Sequence, residues 1–140
     1  MDRIVENIEE VVLAVEHQDN VVALFEDLFG FEFKDTWDMP MYNMRVKSAR
    51  VGNTQFQIVA STNPAPDAFL TRFIKARGEG IHHVAFNVHD LNEIVARLQG
   101  KGVQLIPGNP IEVGGRARFI FVHPKFVHGI LIELIESSRQ

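Results

Sequence analysis

The chain contains no cysteine, which excludes a disulfide framework, a thiolate nucleophile, an iron–sulfur cluster and a cysteine zinc site. Any bound metal has to sit on His, Glu, Asp or Gln. No apolar run approaches the ~20 residues that cross a bilayer, and the N-terminus shows no signal-peptide pattern. A soluble, cytoplasmic protein is therefore expected, with no membrane partner. Basic residues are few and scattered: 14 Lys and Arg against 18 Asp and Glu leave a formal charge of −4. That balance speaks against nucleic acid as a partner. A small group, Arg116, Arg118 and Lys125, is basic enough to meet an anionic small molecule, with Arg116 and Lys125 as the candidate substrate-binding residues.

The 140 residues are 46% apolar, enough for one domain that buries roughly 70% of its unfolded surface. Ile8 to Val15 reads as a strand. Asp19 is a candidate N-cap for VVALFEDLF, closed by Gly30. Residues 31–60 read as further strands: Asp38-Met39-Pro40 marks a loop among them, Arg45–Val51 and Thr54–Ala60 are strands around a Gly52-Asn53 turn, and STNPAPD (61–67) is a loop. A short helix over about 67–76 stops at Gly78, IHHVAFNV (81–88) is a strand, and Asp90 caps LNEIVARLQGKG. VQLI, RARFIFV and ILIELIE supply three further strands.

This order is strand, helix and three strands, twice over. Laying Ile8 on Ile81 pairs Glu10 with His83, Val11 with Val84, Val15 with Val88, Val22 with Val95 and Ala23 with Ala96, at an offset of 73. Gln57 falls on Glu133 at an offset of 76. The expected fold is α+β: paired βαβββ modules forming a U-shaped mixed sheet around a metal-binding cavity. Module 1 spans about 5–62, a linker helix about 63–79 and module 2 about 80–136, in a single domain.

Alternation along strands puts Ile8, Glu10, Val12 and Ala14 on one face, and Ile81, His83, Ala85 and Asn87 on the equivalent one. Glu133 stands alone among apolar neighbours in ILIELIE, and Gln57 has a similar setting in QFQIVA. Taken singly, each fits a solvated strand residue or a hydrogen-bonded core group. Taken together, four polar residues at repeat-equivalent places point to a shared task. Two carboxylates facing one cavity would repel, and a divalent cation resolves that conflict. One imidazole, two carboxylates and one amide oxygen suit Zn, Co, Ni, Mn or Mg. His82 lies on the opposite, helix-facing side and reads as a structural histidine.

At these residues the sequence resembles the vicinal oxygen chelate superfamily of glyoxalases, bleomycin-resistance proteins and dioxygenases. Within it, the chain is most similar to the methylmalonyl-CoA epimerases. The resemblance is carried by RGEGIHHVAFNV (77–88), LQGKGVQLI (98–106), GGRARFIFVHPK (114–125) and GILIELIE (129–136), with FEDLFGFE (25–32) resembling the first helix and turn. It implies a homodimer, a divalent ion on Glu10, Gln57, His83 and Glu133, and an acyl-CoA-type substrate whose enolate is stabilised. Glu133 is then both ligand and base, and Glu10 is the candidate second catalytic carboxylate. Two departures stand out. Glu10 occupies a place where epimerases usually carry His, and MPMYNM (39–44) puts Met41 where their second acid is expected, with Asp38 the nearest carboxylate. A glyoxalase-like isomerase, or a non-catalytic binding protein of the bleomycin-resistance type, is the alternative.

Overall fold

The computed structural model of the chain describes residues 4–63, 65, 68–113 and 117–137. Its elements are β1 (Val5–Ala14), α1 (Gln18–Phe29), β2 (Asp35–Met39), β3 (Met44–Val51), β4 (Thr54–Ser61), α2 (Phe69–Arg77), β5 (Gly80–Val88), α3 (Leu91–Gly100), β6 (Leu105–Val113), β7 (Ala117–Val122) and β8 (Ile132–Ser137). The succession strand, helix, three strands occurs on either side of α2, so the α+β class of paired βαβββ modules is borne out. No helix among the described residues is long and apolar enough to cross a membrane.

Two compact units are distinguishable, one built from residues 10–82 and one from the residues before 10 together with those from 83 onward. In the first unit the strands are ordered β2-β3-β4-β1. The two hairpins are antiparallel and β4 runs parallel to β1. The turn between β3 and β4 has positive φ only at Gly52, at 62°, as a two-residue type II′ hairpin requires. One face of this sheet packs Val15, Ile58 and partly buried Leu13 and Phe56 against Val22 and Phe25 of α1. The opposite face packs Val12, Ala14, Val46 and Val59 against Leu70 and Phe73 of α2.

In the second unit the order is β5-β8-β7-β6, with β5 parallel to β8 and the other pairs antiparallel. Its core joins Val88, Leu91 and Ile94 to Ile120, Val122 and Leu134. The amphipathic spacing of Leu91, Ile94, Val95 and Leu98 buries one stripe of α3 against the sheet. The Asp90 side chain accepts a hydrogen bond from the Glu93 N–H at 3.1 Å, the expected N-cap.

Three boundaries differ from the sequence reading. Helix α1 begins at Gln18, with His17 in the cap position and no side-chain cap bond. Asp19 instead sits in the first turn, where the helix dipole favours a carboxylate, and its Oδ1 meets Lys47 Nζ at 2.6 Å. Asp38 and Met39 are not loop residues but the end of β2, paired with Arg45 and Met44. The break comes at Pro40, which lacks the N–H to continue a ladder and opens a 3-10 turn closed by Asn43 at φ 51°. Strand β6 runs past Ile106 to Val113, with a register shift between Ile106 and Ile111. As the last strand in its order it tolerates Pro107 and Pro110.

Candidate metal centre

In the second unit, Ala85 of β5 is the register partner of Glu133 on β8. Parallel pairing of this kind sets a side chain two residues earlier, His83, on the same face as Glu133. His83 Nε2 lies 2.9 Å from Glu133 Oε1, and both side chains are only about 9% exposed. The ring of Phe121, from the β7 residue paired with Glu133, meets the His83 imidazole edge-to-face at 5.5 Å. A carboxylate in such apolar surroundings is costly without a strong partner. The His83 imidazole, 2.9 Å from the carboxylate, is one such partner.

In the first unit, Val12 of β1 is the register partner of Gln57 on β4. Val12 and Ala85 are related by the offset of 73, and Gln57 and Glu133 by that of 76. The two registers are therefore the same register, arrived at independently in each unit. Glu10 stands two residues before Val12 and is half-buried, while Gln57 is 4% exposed. The Gln57 amide donates from Nε2 to Gln55 Oε1 at 3.4 Å. That is the only hydrogen bond its side chain makes among the described residues, so its amide oxygen is left available.

By residue type alone, one imidazole, two carboxylates and one amide suit a hard to borderline divalent ion. The sequence reading missed Ser48 and Gln55. Ser48, the β3 partner of Gln57, donates its hydroxyl to Gln55 Oε1 at 3.1 Å. The signal for Gln55 was present in QFQ, where a two-residue spacing puts both glutamines on one face.

The other candidates are placed differently. Arg116 lies outside the described residues. Lys125 is exposed on the 3-10 turn at Pro124–Phe126, its Nζ 5.2 Å from the centroid of the Phe126 ring. Arg118 is committed to Asn92 at 2.9 Å and to Glu136 at 3.5 Å. His82 is buried edge-on against Phe69 and Phe73 of α2, with ring centroids 5.0 and 4.6 Å away, as a structural histidine would be. A groove of about 500 Å³ opens beyond Ser48, but its Lys34 and Arg50 are offset by Glu32 and Asp35. It carries no net charge to select an anion.

Met41 is 58% exposed, and Asp38 is engaged by Arg45, whose Nε donates to Asp38 Oδ1 at 2.8 Å. That hydrogen bond and the guanidinium charge hold the Asp38 carboxyl below the usual carboxylate range. A carboxylate so stabilised is a weak base. Because its folded pKa is depressed, the pair contributes stability above the ordinary Asp pKa of about 3.9, and that contribution fades as pH falls through the lowered value. An Arg45→Ala variant is expected to return the Asp38 titration toward its ordinary range, read by carboxyl NMR; an unmoved titration would contradict the pairing.

Residues 9–121 match the family model described as Glyoxalase/Bleomycin resistance protein/Dioxygenase superfamily. Among curated proteins, the chain is 24% identical over 129 residues to the mitochondrial methylmalonyl-CoA epimerase of Homo sapiens, covering 91% of this chain and 72% of that one. Among solved structures, it is similar to methylmalonyl-CoA epimerase from Mycobacterium tuberculosis, with TM-score 0.89 and 26% identity over 99% of this chain and 93% of that one. A Streptomyces coelicolor methylmalonyl-CoA epimerase variant in complex with 2-nitronate-propionyl-CoA aligns with TM-score 0.87 and 26% identity, covering 96% of each chain. The matched model spans most of the chain, both βαβββ modules are in place, and the chain belongs to the glyoxalase/bleomycin resistance protein/dioxygenase superfamily.

Proposed function

We propose that the chain is a metal-dependent enzyme that stabilises the enolate of a small acyl-CoA thioester and moves its α-proton, as an epimerase or related isomerase does. The observation that carries this reading is the buried His83–Glu133 pair, supported by the free amide oxygen of Gln57 and by epimerase relatives. Glu10, His83 and Glu133 form a donor set that could hold a metal ion, and Gln57 adds the fourth ligand. A divalent ion bound there supplies Lewis-acid stabilisation of the charge that develops on the thioester oxygen.

The remaining chemistry falls to the chain's own carboxylates. Removal of an α-proton needs a base whose conjugate acid can return it. Glu133 fills that role: its side chain is about 9% exposed on β8, beside the β7 residue Phe121 with which it is paired. Inversion at the α-carbon needs a second proton carrier. Asp38 is tied to Arg45 and Met41 cannot transfer a proton, so Glu10 is the carboxylate left for it. The substitution of Glu10 for the epimerases' usual His therefore supplies a base in the ligand set itself.

The test is exchange of the α-proton of methylmalonyl-CoA in D₂O, followed by NMR, with Co²⁺ or Zn²⁺ and again with chelator. Deuterium incorporation is expected with metal and its loss with chelator. No exchange under any metal would overturn the reading. The two-carboxylate set also favours one alternative, a glyoxalase-like isomerase, which would show itself by turnover of a hemithioacetal in the absence of thioester exchange.

A further inference from the structure

We infer that Gln55 and Ser48 are positioning residues that determine which end of the Gln57 amide is presented as a ligand, an inference that rests on the ligand reading above. Gln55 and Gln57 are two residues apart on β4 and share a face. Ser48, opposite Gln57 in the β3–β4 ladder, projects from the same face. The three polar groups meet at one acceptor: Gln55 Oε1 accepts from Ser48 Oγ at 3.1 Å and from Gln57 Nε2 at 3.4 Å. Ser48 and Gln57 are 3% and 4% exposed and Gln55 is half-buried.

An amide is nearly symmetric in shape but not in chemistry, since its oxygen binds a cation and its NH₂ group does not. With Nε2 turned to Gln55, the Gln57 oxygen faces the other way. Rotating the amide by half a turn would set the Gln57 oxygen against Gln55 Oε1, lone pair against lone pair, and would turn the NH₂ toward the ligand place. The acceptor at residue 55 therefore selects the binding orientation. The Ser48 hydroxyl donates to that same acceptor. Outer partners that orient a ligand in this way are commonly worth 10–100-fold in metal affinity.

The inference predicts a separation between variants of nearly equal size at one position. Gln55→Leu removes the acceptor and is expected to weaken Zn²⁺ or Mn²⁺ binding by about 10–100-fold. Gln55→Glu keeps an oxygen acceptor and is expected to bind as tightly as the unmodified chain or more tightly. Ser48→Ala should fall between them. Metal affinity is read by calorimetric titration of chelator-treated protein, alongside the melting temperature of each metal-free variant. If Gln55→Leu does not fold, Ser48→Ala against Gln55→Glu carries the comparison. Equal affinity across the folded variants, with Gln57→Leu still weakening the metal, would overturn the positioning role and leave the ligand reading standing. If Gln57→Leu leaves metal binding unchanged, or the unmodified chain binds no metal, the ligand reading fails and the positioning role falls with it.

Discussion

Replacing Glu133 by Gln is expected to slow α-proton exchange by about 10²–10⁴, the usual contribution of a positioned general base. The substitution keeps the size and shape of the side chain and leaves an oxygen for the His83 N–H, so β8 and its packing are retained. It removes the negative charge that makes residue 133 both a base and a strong ligand. A hydrogen bond to a charged acceptor is worth about 1.5–3 kcal/mol and one to a neutral acceptor about 0.5–1.5, while burying the neutral amide costs less than burying the carboxylate. These differences oppose each other, so the metal-free melting temperature should move little. Exchange is followed by NMR in D₂O and folding by circular dichroism. Full exchange by a well-folded Glu133→Gln protein would remove Glu133 from the mechanism.

The second large effect concerns stability. Ile58 is fully buried on the face of β4 opposite Gln57, where it packs with Val15 and Val22 beneath α1. Its carbonyl accepts from Gln18 Nε2 at 2.8 Å, tying the start of α1 to the strand. Ile58→Ala removes three carbons from this contact and leaves a space that a sheet clamped between two helices closes poorly. The expected loss is about 2–5 kcal/mol, a large part of the 5–15 kcal/mol typical of a domain. Urea denaturation should show a lower midpoint at an unchanged slope. A midpoint within error of the unmodified chain would show that α1 does not depend on this packing.

The fold was legible because the repeat appears in residues, not only in element order. Glu10 with His83 and Gln57 with Glu133 were aligned by two separate offsets, and the ladders Val12–Gln57 and Ala85–Glu133 reproduce both. Strand alternation then assigned the faces: His82 packs on α2 while the neighbouring His83 meets Glu133. What was illegible depended on partners distant in sequence. Nothing local shows that Asp38 pairs with Arg45 at the end of β2, or that Asp19 meets Lys47 from the first turn of α1. The proline-containing stretch after Ile106 reads as a loop unless it is known to lie on an edge. Ser48 resembled any strand serine until the β3–β4 register set it beside Gln57.

The central proposal is that Glu10, Gln57, His83 and Glu133 together hold one divalent ion. Elemental analysis of protein purified without chelator, repeated after dialysis against Zn²⁺ or Co²⁺ and again on Glu133→Ala, tests it most directly. One ion per chain in the unmodified protein and its loss in Glu133→Ala is the predicted result. No bound metal under any loading condition, or full metal content in Glu133→Ala, would contradict it.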